Sequence, residues 1–296
     1  MVTLAVYAPR SKHFAHVYQQ LLREAKLFGC RFLFLDSLNY NTSVSIDLVM
    51  HKVSDFATYN RSYTFPNLYR VIDSSHVQQL ALSRQSMFQP FRLNDPLKPP
   101  RLSFPTTFSL PSDNLDHFIT DHIGCPCIVK PDVACGSASS HRLFIFPNLN
   151  TLADLSLLPP ADYIVQPFLP CYKLIKLYAV VPSPQLNRNF YVWSCDFTSS
   201  HPKVDLDSPS VTMFDSQSVR NNKPNALLTN YPLLVDIALY ISNRTGFTFF
   251  GVDLVQASDD VINYSCVDIN YLPSFEGCVD FGKLALSCLL EAFELN

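Results

Sequence analysis

Two short apolar runs in the last fifth of the sequence, each with an aspartate at its centre, constrain the fold more than any other feature. The runs are FFGVDL and SCVDIN, within residues 249–277. Their length and their content of Val, Ile and Phe predict two strands, and the polar segment QASDDVINY between them predicts a hairpin. If the hairpin is centred near Asp260, Asp253 lies opposite Asp268. Asn270 then shares a face with Asp268, because side chains alternate along a strand.

This pattern places two carboxylates and one amide oxygen on a small patch. Two like charges about 4 Å apart repel by roughly 4 kcal/mol at an effective dielectric constant of 20, so the pair needs compensation. Mg²⁺ provides it, since this cation takes oxygen ligands from one or two carboxylates, from substrate phosphates and from water. The alternative is that the two aspartates are unrelated and that each is hydrogen-bonded near a strand end. The spacing alone leaves both interpretations open.

Composition and charge exclude several classes of protein. The 296 residues are 48% hydrophobic, enough for a large core, and allow about two domains or three small lobes around one cleft. The formal net charge of −3 disfavours a surface built to bind nucleic acid. The nine cysteines lack the paired spacing of a zinc site. Without a signal-peptide pattern or a long apolar run, we expect a cytoplasmic protein with no membrane partner. We also expect a monomer.

The order of the predicted elements indicates an α/β fold with three units. TLAVYA, the amphipathic segment FAHVYQQLLREAKLFG and CRFLFLD predict strand, helix and strand at the start of a parallel layer, followed by a strand in IDLVMHKVSDF and a helix over 75–88. The proline-rich segment FRLNDPLKPPRLSFPTTFSLPS predicts a connector. The predicted domains are 1–88, 89–167 and 168–296.

The second and third units are predicted from shorter segments. The second contains the helix DNLDHFITDHIG and the strands PCIVKP, HRLFIF and ADYIVQPFLP. The third is mostly antiparallel and contains YKLIKLYAVV, NFYVWSCDF and the aspartate hairpin. Helices are predicted at YPLLVDIALYISNRTG and FGKLALSCLLEAFEL.

Two lysines within apolar strands are the next candidates for chemistry. Lys130 ends CIVK, and Lys176 lies inside LIKLYAVV. A buried ammonium group needs a partner, although each side chain could instead extend to solvent. The small-residue loop CGSASS, in which Gly136 permits close approach, could bind a phosphate through backbone N–H groups, although many surface turns look alike. Together with the aspartates, these features are typical of phosphoryl transfer.

Four blocks of the sequence then extend this pattern over most of the chain. They are LVMHKVSDF at 48–56, IVKPDVACGSASSH at 128–141, YIVQPFLPCYKLIKLYAVV at 163–181, and GVDLV with CVDINYLPSFEG between 251 and 277. On these blocks the chain resembles the inositol 1,3,4-trisphosphate 5/6-kinases, also called inositol tetrakisphosphate 1-kinases. The order D-I-N-x-x-P-x-x-E-G in the last block is the most specific. The resemblance implies an α/β (α+β) ATP-grasp fold, with an N-terminal parallel α/β lobe and two mixed or antiparallel lobes that sandwich ATP.

The resemblance also implies a role for individual residues. The ATP phosphates would be held by Lys130 and Lys176 beside Gly136. Adenine would meet the backbone carbonyl of Gln166 and the backbone N–H of Phe168, since Pro167 has no N–H to donate. The implied Mg²⁺ ligands are Asp253, Asp268 and Asn270. The implied inositol phosphate contacts are Lys12, His51, Lys52, His141, Asn270 and Ser274. Apart from the resemblance, His51 and Lys52 would be interpreted as a solvated strand end.

The chain departs from the family pattern at several basic positions. Asp132 stands where the family usually has Arg, and Cys135 stands where it has His. A family Arg before the central lobe aligns with Gln79, with Arg84 nearby. His141 matches a family His only with a shift of one residue. These changes leave the ATP and metal residues intact and bear on the substrate.

The implied activity is a Mg²⁺-dependent transfer of phosphate from ATP to a hydroxyl of an inositol polyphosphate. Two alternatives remain at this point. One is an ATP-grasp ligase that passes through an acyl phosphate, or a kinase for another small substrate. The other is a degenerate protein that binds inositol phosphates without catalysis. The sequence leaves the isomer and the attacked hydroxyl open.

Overall fold

The protein folds into three β-sheets with helices packed against them. The computed structural model describes residues 1–8, 15–35, 44–52, 70–91, 95–111, 119–134, 138–169, 171–182, 190–198, 204–215, 231–258, 262–275, 277–278 and 280–294. Strands and helices are numbered below in chain order.

The N-terminal sheet is parallel and confirms the predicted α/β layer. Its strands are β1 (Thr3–Tyr7), β2 (Arg31–Leu35), β3 (Leu48–His51) and β4 (Arg70–Ile72), in the order β2-β1-β3-β4. Helix α1 (His16–Leu27) buries the apolar face that its spacing predicts, including Val17 and Leu21. Because β3 is buried along its whole length, His51 at its end is buried too.

The central sheet is antiparallel and comes from three parts of the chain. Its strands are β6 (Phe108–Pro111), β7 (Cys127–Pro131), β8 (Arg142–Phe146), β9 (Asp162–Pro167) and β12 (Thr212–Asp215), in the order β12-β8-β7-β9-β6. Val129, Phe146 and Val165 form its buried core with Ile119. Lys130 lies on β7, in the middle of this sheet.

The C-terminal sheet carries the aspartate hairpin. Its strands are β5 (Leu102–Ser103), β10 (Lys173–Val180), β11 (Tyr191–Asp196), β13 (Phe249–Gln256) and β14 (Tyr264–Tyr271), in the order β11-β10-β13-β14-β5. Every pairing is antiparallel except that of β14 with β5, as predicted for a mostly antiparallel unit. Helix α4 (Tyr231–Thr245) shares an apolar core with one face of this sheet.

Helix α5 (Phe281–Glu294) joins the N-terminal and C-terminal parts of the molecule. It packs against α1, and the two helices share one apolar core with β1, β3 and the start of β13. The helices approach closely at Gly282, where a Cβ atom would lie 2.5 Å from the backbone carbonyl carbon of Gln20. A side chain at this position would therefore push α1 and α5 apart.

Two predictions about local structure are wrong. The helix predicted over 75–88 is two short helices, α2 (Ser75–Leu80) and α3 (Arg84–Phe88), because Ser83 caps α3 by accepting a hydrogen bond from the Ser86 amide. The proline-rich connector contains β5 and β6. Both are edge strands, where proline is tolerated because one side of the strand needs no ladder hydrogen bonds.

Other predictions stay partly or wholly untested. Of the helix predicted from DNLDHFITDHIG, the described part is a π-helical turn, Ile119–Ile123. The domain boundaries remain a prediction, and β5, which lies within the predicted 89–167 segment, pairs with the C-terminal sheet. None of the helices in the described ranges combines the length and apolarity that crossing a bilayer requires.

Candidate active site

The hairpin of β13 and β14 brings the two aspartates face to face. Asp253 pairs directly with Asp268, which confirms the register assumed from the sequence, and Asn270 pairs with Gly251. The register shifts next to Asp253, because Leu254 pairs with Cys266 and Val267 is the extra residue of a β-bulge. Without this bulge Asp253 would face Val267. The bulge therefore sets the carboxylate pair, and the apolar pattern gives no sign of it.

Lys176 extends the aspartate pair into a row across three strands. It pairs with Asp253 between β10 and β13, and its Nζ lies 3.7 Å from Asp253 Oδ1. The ring of buried Phe197 lies 5.2 Å from the same ammonium group, which adds a cation–π contact. This lysine is therefore held at the site and does not extend freely to solvent.

Lys130 reaches the same place from the central sheet. Its side chain is buried, and its ammonium donates a hydrogen bond of 2.9 Å to the backbone carbonyl of Val267, the bulge residue. Burial lowers the pKa of Lys130 to about 8, while the nearby carboxylates of Asp268 and Asp253 oppose that shift. A cation buried between two sheets next to a carboxylate pair is suited to bind a phosphate.

Arg84 is a third cation at the site, and the sequence marked it only as a neighbour of Gln79. Its guanidinium is buried and donates to the backbone carbonyls of Pro131, Val133 and Ser140 in the central lobe. Its Nε lies 3.9 Å from Asp268 Oδ1 and has no hydrogen-bond partner within the described residues. Gln79, in contrast, is exposed.

Asp132 explains why Arg84 is placed here. Its carboxylate accepts hydrogen bonds from the Ser83 hydroxyl at 2.9 Å and from the Gln85 amide at 2.9 Å, so it holds the first turn of α3 against β7. The residue that departs from the family pattern therefore anchors the helix that delivers a cation. The N-cap serine directly before Arg84 is the sequence signal that could have pointed to it.

Replacing Arg84 by methionine is expected to destabilise the protein by roughly 3–5 kcal/mol, because three carbonyls and the Asp268 carboxylate lose a buried partner. Arg142→Met is the matched control, since Arg142 is exposed on β8, and its effect should stay within about 0.5 kcal/mol. Urea unfolding of both variants measures the difference. Equal effects would show that the Arg84 contacts do not stabilise the lobe.

The charges of the site fit a magnesium–nucleotide complex. Three cationic side chains, Arg84, Lys130 and Lys176, surround two carboxylates, so these five groups carry one net positive charge. The orphaned buried N–H of Arg84 is suited to a phosphate oxygen. No cluster of three or more His, Cys, Asp or Glu occurs within the described ranges. The oxygen atoms that Asp253, Asp268 and Asn270 offer are those of two carboxylates and one amide. That oxygen set fits Mg²⁺.

His51 and Lys52, at the end of β3, approach the hairpin from the N-terminal sheet. Lys52 donates through Nζ to the backbone carbonyls of Tyr271 and Leu272, directly after Asn270. His51 stacks on Tyr7 with the ring centroids 4.7 Å apart, and burial lowers its pKa to about 4. His51 is therefore neutral at pH 7 and adds no positive charge to the site.

The buried carboxylate of Asp73 is hydrogen-bonded to the start of the same hairpin. It accepts hydrogen bonds from the amide of Thr248, at 3.1 Å, and from the Thr248 hydroxyl. Burial raises the pKa of Asp73 to about 6, although the hydrogen bonds from Thr248 and the Tyr271 hydroxyl favour the charged form.

The raised pKa of Asp73 predicts a pH dependence of stability. Between pH 4 and pH 6 the unfolded chain releases this proton before the folded protein does, so stability falls as pH rises, by about 3 kcal/mol in total. Asp73→Asn has no titrating carboxyl group at this position. The stability of the variant relative to wild type should therefore increase by about 3 kcal/mol from pH 4 to pH 6. Urea unfolding at several pH values measures the difference.

Asp95→Asn is the control, because its stability relative to wild type should stay nearly constant between pH 4 and pH 6. The pKa of Asp95 is lowered by hydrogen bonds from the Leu97 amide and the Tyr240 hydroxyl and by Arg244. Its carboxylate therefore stabilises the fold fully above about pH 4 and stabilises it less as pH falls below that value. Parallel slopes for the two variants would contradict the pKa shift of Asp73.

At the predicted adenine end of the site, the backbone amide of Phe168 differs from the expectation, because it is already hydrogen-bonded. Gln166 lies on β9 opposite Ile128, two residues before Lys130, and its side-chain amide donates to Thr107 Oγ1 at 2.7 Å. The Phe168 amide donates to the Pro126 carbonyl at 2.9 Å, where it continues the ladder past Pro167. This amide can bind adenine only if that hydrogen bond opens.

The remaining predicted residues are not all described. Lys12, Gly136 and Cys135 lie outside the described residues, so the predicted phosphate loop stays a prediction. His141 is half-buried at the end of a 3₁₀ turn, Ala138–His141, whose Ser140 carbonyl binds Arg84. Ser274 is exposed.

Comparison with protein families decides the assignment. Residues 101–291 match the model of the inositol 1,3,4-trisphosphate 5/6-kinase ATP-grasp domain. The chain belongs to this family. The match covers β5 through most of α5, and it includes every cation and carboxylate of the site except Arg84, Lys52 and Asp73.

Similar proteins agree with membership of the inositol 1,3,4-trisphosphate 5/6-kinase family. Inositol-tetrakisphosphate 1-kinase 6 from Oryza sativa, in both subspecies indica and japonica, is 26% identical over 235 residues, which cover 73% of this chain. The chain spans 40% of the length of those relatives.

Solved structures show that this family member has the ATP-grasp fold. A RimK domain ATP-grasp protein from Sphaerobacter thermophilus superposes with a TM-score of 0.63 at 13% identity, covering 98% of this chain and 100% of its own. D-alanyl-alanine synthetase A from Vibrio cholerae gives 0.65 at 10% identity, covering 99% and 98%. At these identities the likeness concerns the fold alone.

Proposed function

We propose that this protein is a Mg²⁺-dependent kinase that transfers the γ-phosphoryl group of ATP to a hydroxyl of an inositol polyphosphate. The observation that carries the proposal is the directly paired Asp253 and Asp268, with Lys130, Lys176 and Arg84 around them. Membership of the inositol trisphosphate kinase family supports the substrate class. We also propose that the protein is a cytoplasmic monomer and that its activity requires neither nucleic acid nor a membrane.

The reaction requires little covalent chemistry from the protein. The acceptor oxygen forms a bond to the γ-phosphorus while the bond to the β–γ bridging oxygen breaks, and the hydroxyl proton passes to solvent. Lys130, Lys176 and Arg84 would offset the charge of the phosphate oxygens. Mg²⁺ held by Asp253, Asp268 and Asn270 would neutralise charge on the β- and γ-phosphates. Lys52 and Ser274 would face the acceptor from the other side of the hairpin.

A second candidate, a kinase or ligase for a less charged acceptor, is favoured by the acceptor side of the site. There His51 is neutral, and the ammonium group of Lys52 already binds two backbone carbonyls. Asp132 anchors a helix where the family pattern has a cation.

One experiment tests both candidates. The purified protein is incubated with Mg²⁺ and ATP labelled on its γ-phosphorus, and with separate inositol mono-, bis-, tris- and tetrakisphosphate isomers or with carboxylate and amine pairs. We expect label in a tris- or tetrakisphosphate acceptor. Label only in acceptors with fewer phosphates would support the second candidate. Release of free phosphate together with amide formation would show a ligase and overturn the kinase proposal.

A further inference from the structure

A single buried carboxylate outside the phosphate site joins both strands of the hairpin that carries the proposed metal ligands. Asp73 accepts hydrogen bonds from the amide and hydroxyl of Thr248, which directly precedes β13. The hydroxyl of Tyr271, the last residue of β14, donates to the same carboxylate and lies 3.4 Å from the Asp73 amide. The Asp73 contacts therefore hold the hairpin at the end opposite its turn.

The segment after Asn270 is held from a second direction and has a strained backbone. Lys52 bonds to the carbonyls of Tyr271 and Leu272, and the Leu272 amide donates to the Phe249 carbonyl at 2.8 Å. Leu272 has a φ of 44°, a left-handed conformation that costs free energy for a leucine and persists only where its surroundings impose it. This segment therefore depends on contacts from the N-terminal lobe.

The N-terminal side of these contacts is itself fixed. The Gln78 side-chain amide donates to the Asp73 carbonyl at 2.7 Å, and Gln78 is fully buried. Gln78 is also hydrogen-bonded to the side chain of His51, at the end of β3. Asp73 therefore connects the parallel sheet to the hairpin through groups with little freedom to move.

We propose that Asp73 is a positioning residue, which holds Tyr271 and thereby orients the neighbouring Asn270 toward the divalent cation that Asp253 and Asp268 would bind. The inference rests on the metal site of the proposed function. A buried carboxylate that served stability alone would leave the cation site unchanged when it is replaced. A positioning residue affects the binding of the cation with the nucleotide, whatever the acceptor is.

The test measures ADP affinity by isothermal titration calorimetry, once with Mg²⁺ and once with a chelator, for each folded variant. The dissociation constant with chelator divided by the dissociation constant with Mg²⁺ gives a ratio that reports the contribution of the cation. This measurement needs no acceptor. Asp73→Asn retains shape but removes the charged acceptor, and Tyr271→Phe removes one hydroxyl and is the milder change. Asp95→Asn is the matched control, because Asp95 is a buried carboxylate whose partners, Tyr240 and Arg244, lie on α4. Asn270→Ala is the positive control.

We expect the ratio to fall at least fivefold in Asp73→Asn and Tyr271→Phe, to fall further in Asn270→Ala, and to stay within twofold of wild type in Asp95→Asn. ADP affinity without the cation should change less than twofold in the two positioning variants. A normal ratio in both of these variants, with a reduced ratio in Asn270→Ala, would overturn the positioning role alone. An unchanged ratio in Asn270→Ala would overturn the metal site and, with it, the positioning role.

Discussion

Asp268→Ala is expected to lower kcat by roughly 10³-fold, equivalent to about 4 kcal/mol, because it removes half of the carboxylate pair that would bind the cation on the ATP phosphates. The fold should be retained. The substitution removes the repulsion between Asp268 and Asp253 and also removes the counter-charge of Arg84, so the two effects on stability oppose each other. Initial rates at saturating ATP and acceptor measure the loss.

Two further variants show whether this loss comes from the metal site. Asp268→Asn retains an oxygen ligand without its charge, and its activity should lie between wild type and Asp268→Ala. Asp196→Ala removes a carboxylate from the opposite face of the same sheet, where Asp196 binds Thr198, and should retain activity. Full activity in Asp268→Ala would disprove the metal site. A loss of acceptor phosphorylation from Asp196→Ala as large as that from Asp268→Ala would indicate general damage to the sheet.

The sequence predicted the hairpin well because its pattern is local. Period-two alternation and a short polar loop between apolar runs predict two paired strands, and an assumed centre near Asp260 then placed Asp253, Asp268 and Asn270 together. The bulge at Val267 could not be predicted, because it depends on how the ladder accommodates one extra residue. The predicted centre of the hairpin near Asp260 was nevertheless right, since it gives the observed pairing of Asp253 with Asp268.

Contacts between distant segments were beyond the sequence pattern. Arg84 reaches Asp268 across 184 positions only because Asp132, in another lobe, fixes the start of α3. Asp73 likewise meets Thr248 from a distance of 175 positions. Periodicity reports which face of an element is buried and says nothing about which polar group lies opposite.

The proline-rich segment shows a different limit of local patterns. Prolines at this density indicate turns and connectors, but Leu102–Ser103 and Phe108–Pro111 become edge strands of two different sheets. Edge strands need hydrogen bonds on one side only, so the proline penalty that argues against a central strand does not apply. Tertiary pairing thus overrode local propensity in these two strands.

Lys130→Met is expected to abolish most activity without lowering stability. Burial lowers the pKa of Lys130 from 10.5 to about 8, so keeping the ammonium group charged in the folded protein costs roughly 3 kcal/mol at pH 7. Methionine avoids this cost but leaves the Val267 carbonyl without its donor, a loss of about 1–2 kcal/mol. The net change in the free energy of unfolding should therefore lie between zero and about +2 kcal/mol. Loss of a phosphate-binding cation should lower kcat roughly 10²–10³-fold.

The pH dependence of unfolding separates this explanation from simple repacking. From pH 8 to pH 10.5 the unfolded chain keeps the lysine proton that the folded protein has already released, so wild-type stability gains from this group as pH rises. Lys130→Met lacks the gain, and its advantage over wild type should shrink across that range. Lys283→Met, at an exposed position of α5, is the control and should match wild type in slope and activity. The explanation fails if Lys130→Met lowers the free energy of unfolding by more than about 2 kcal/mol at pH 7. Lys130 would then stabilise the contact between the two sheets, and its burial would not be a cost to stability that the protein accepts for function.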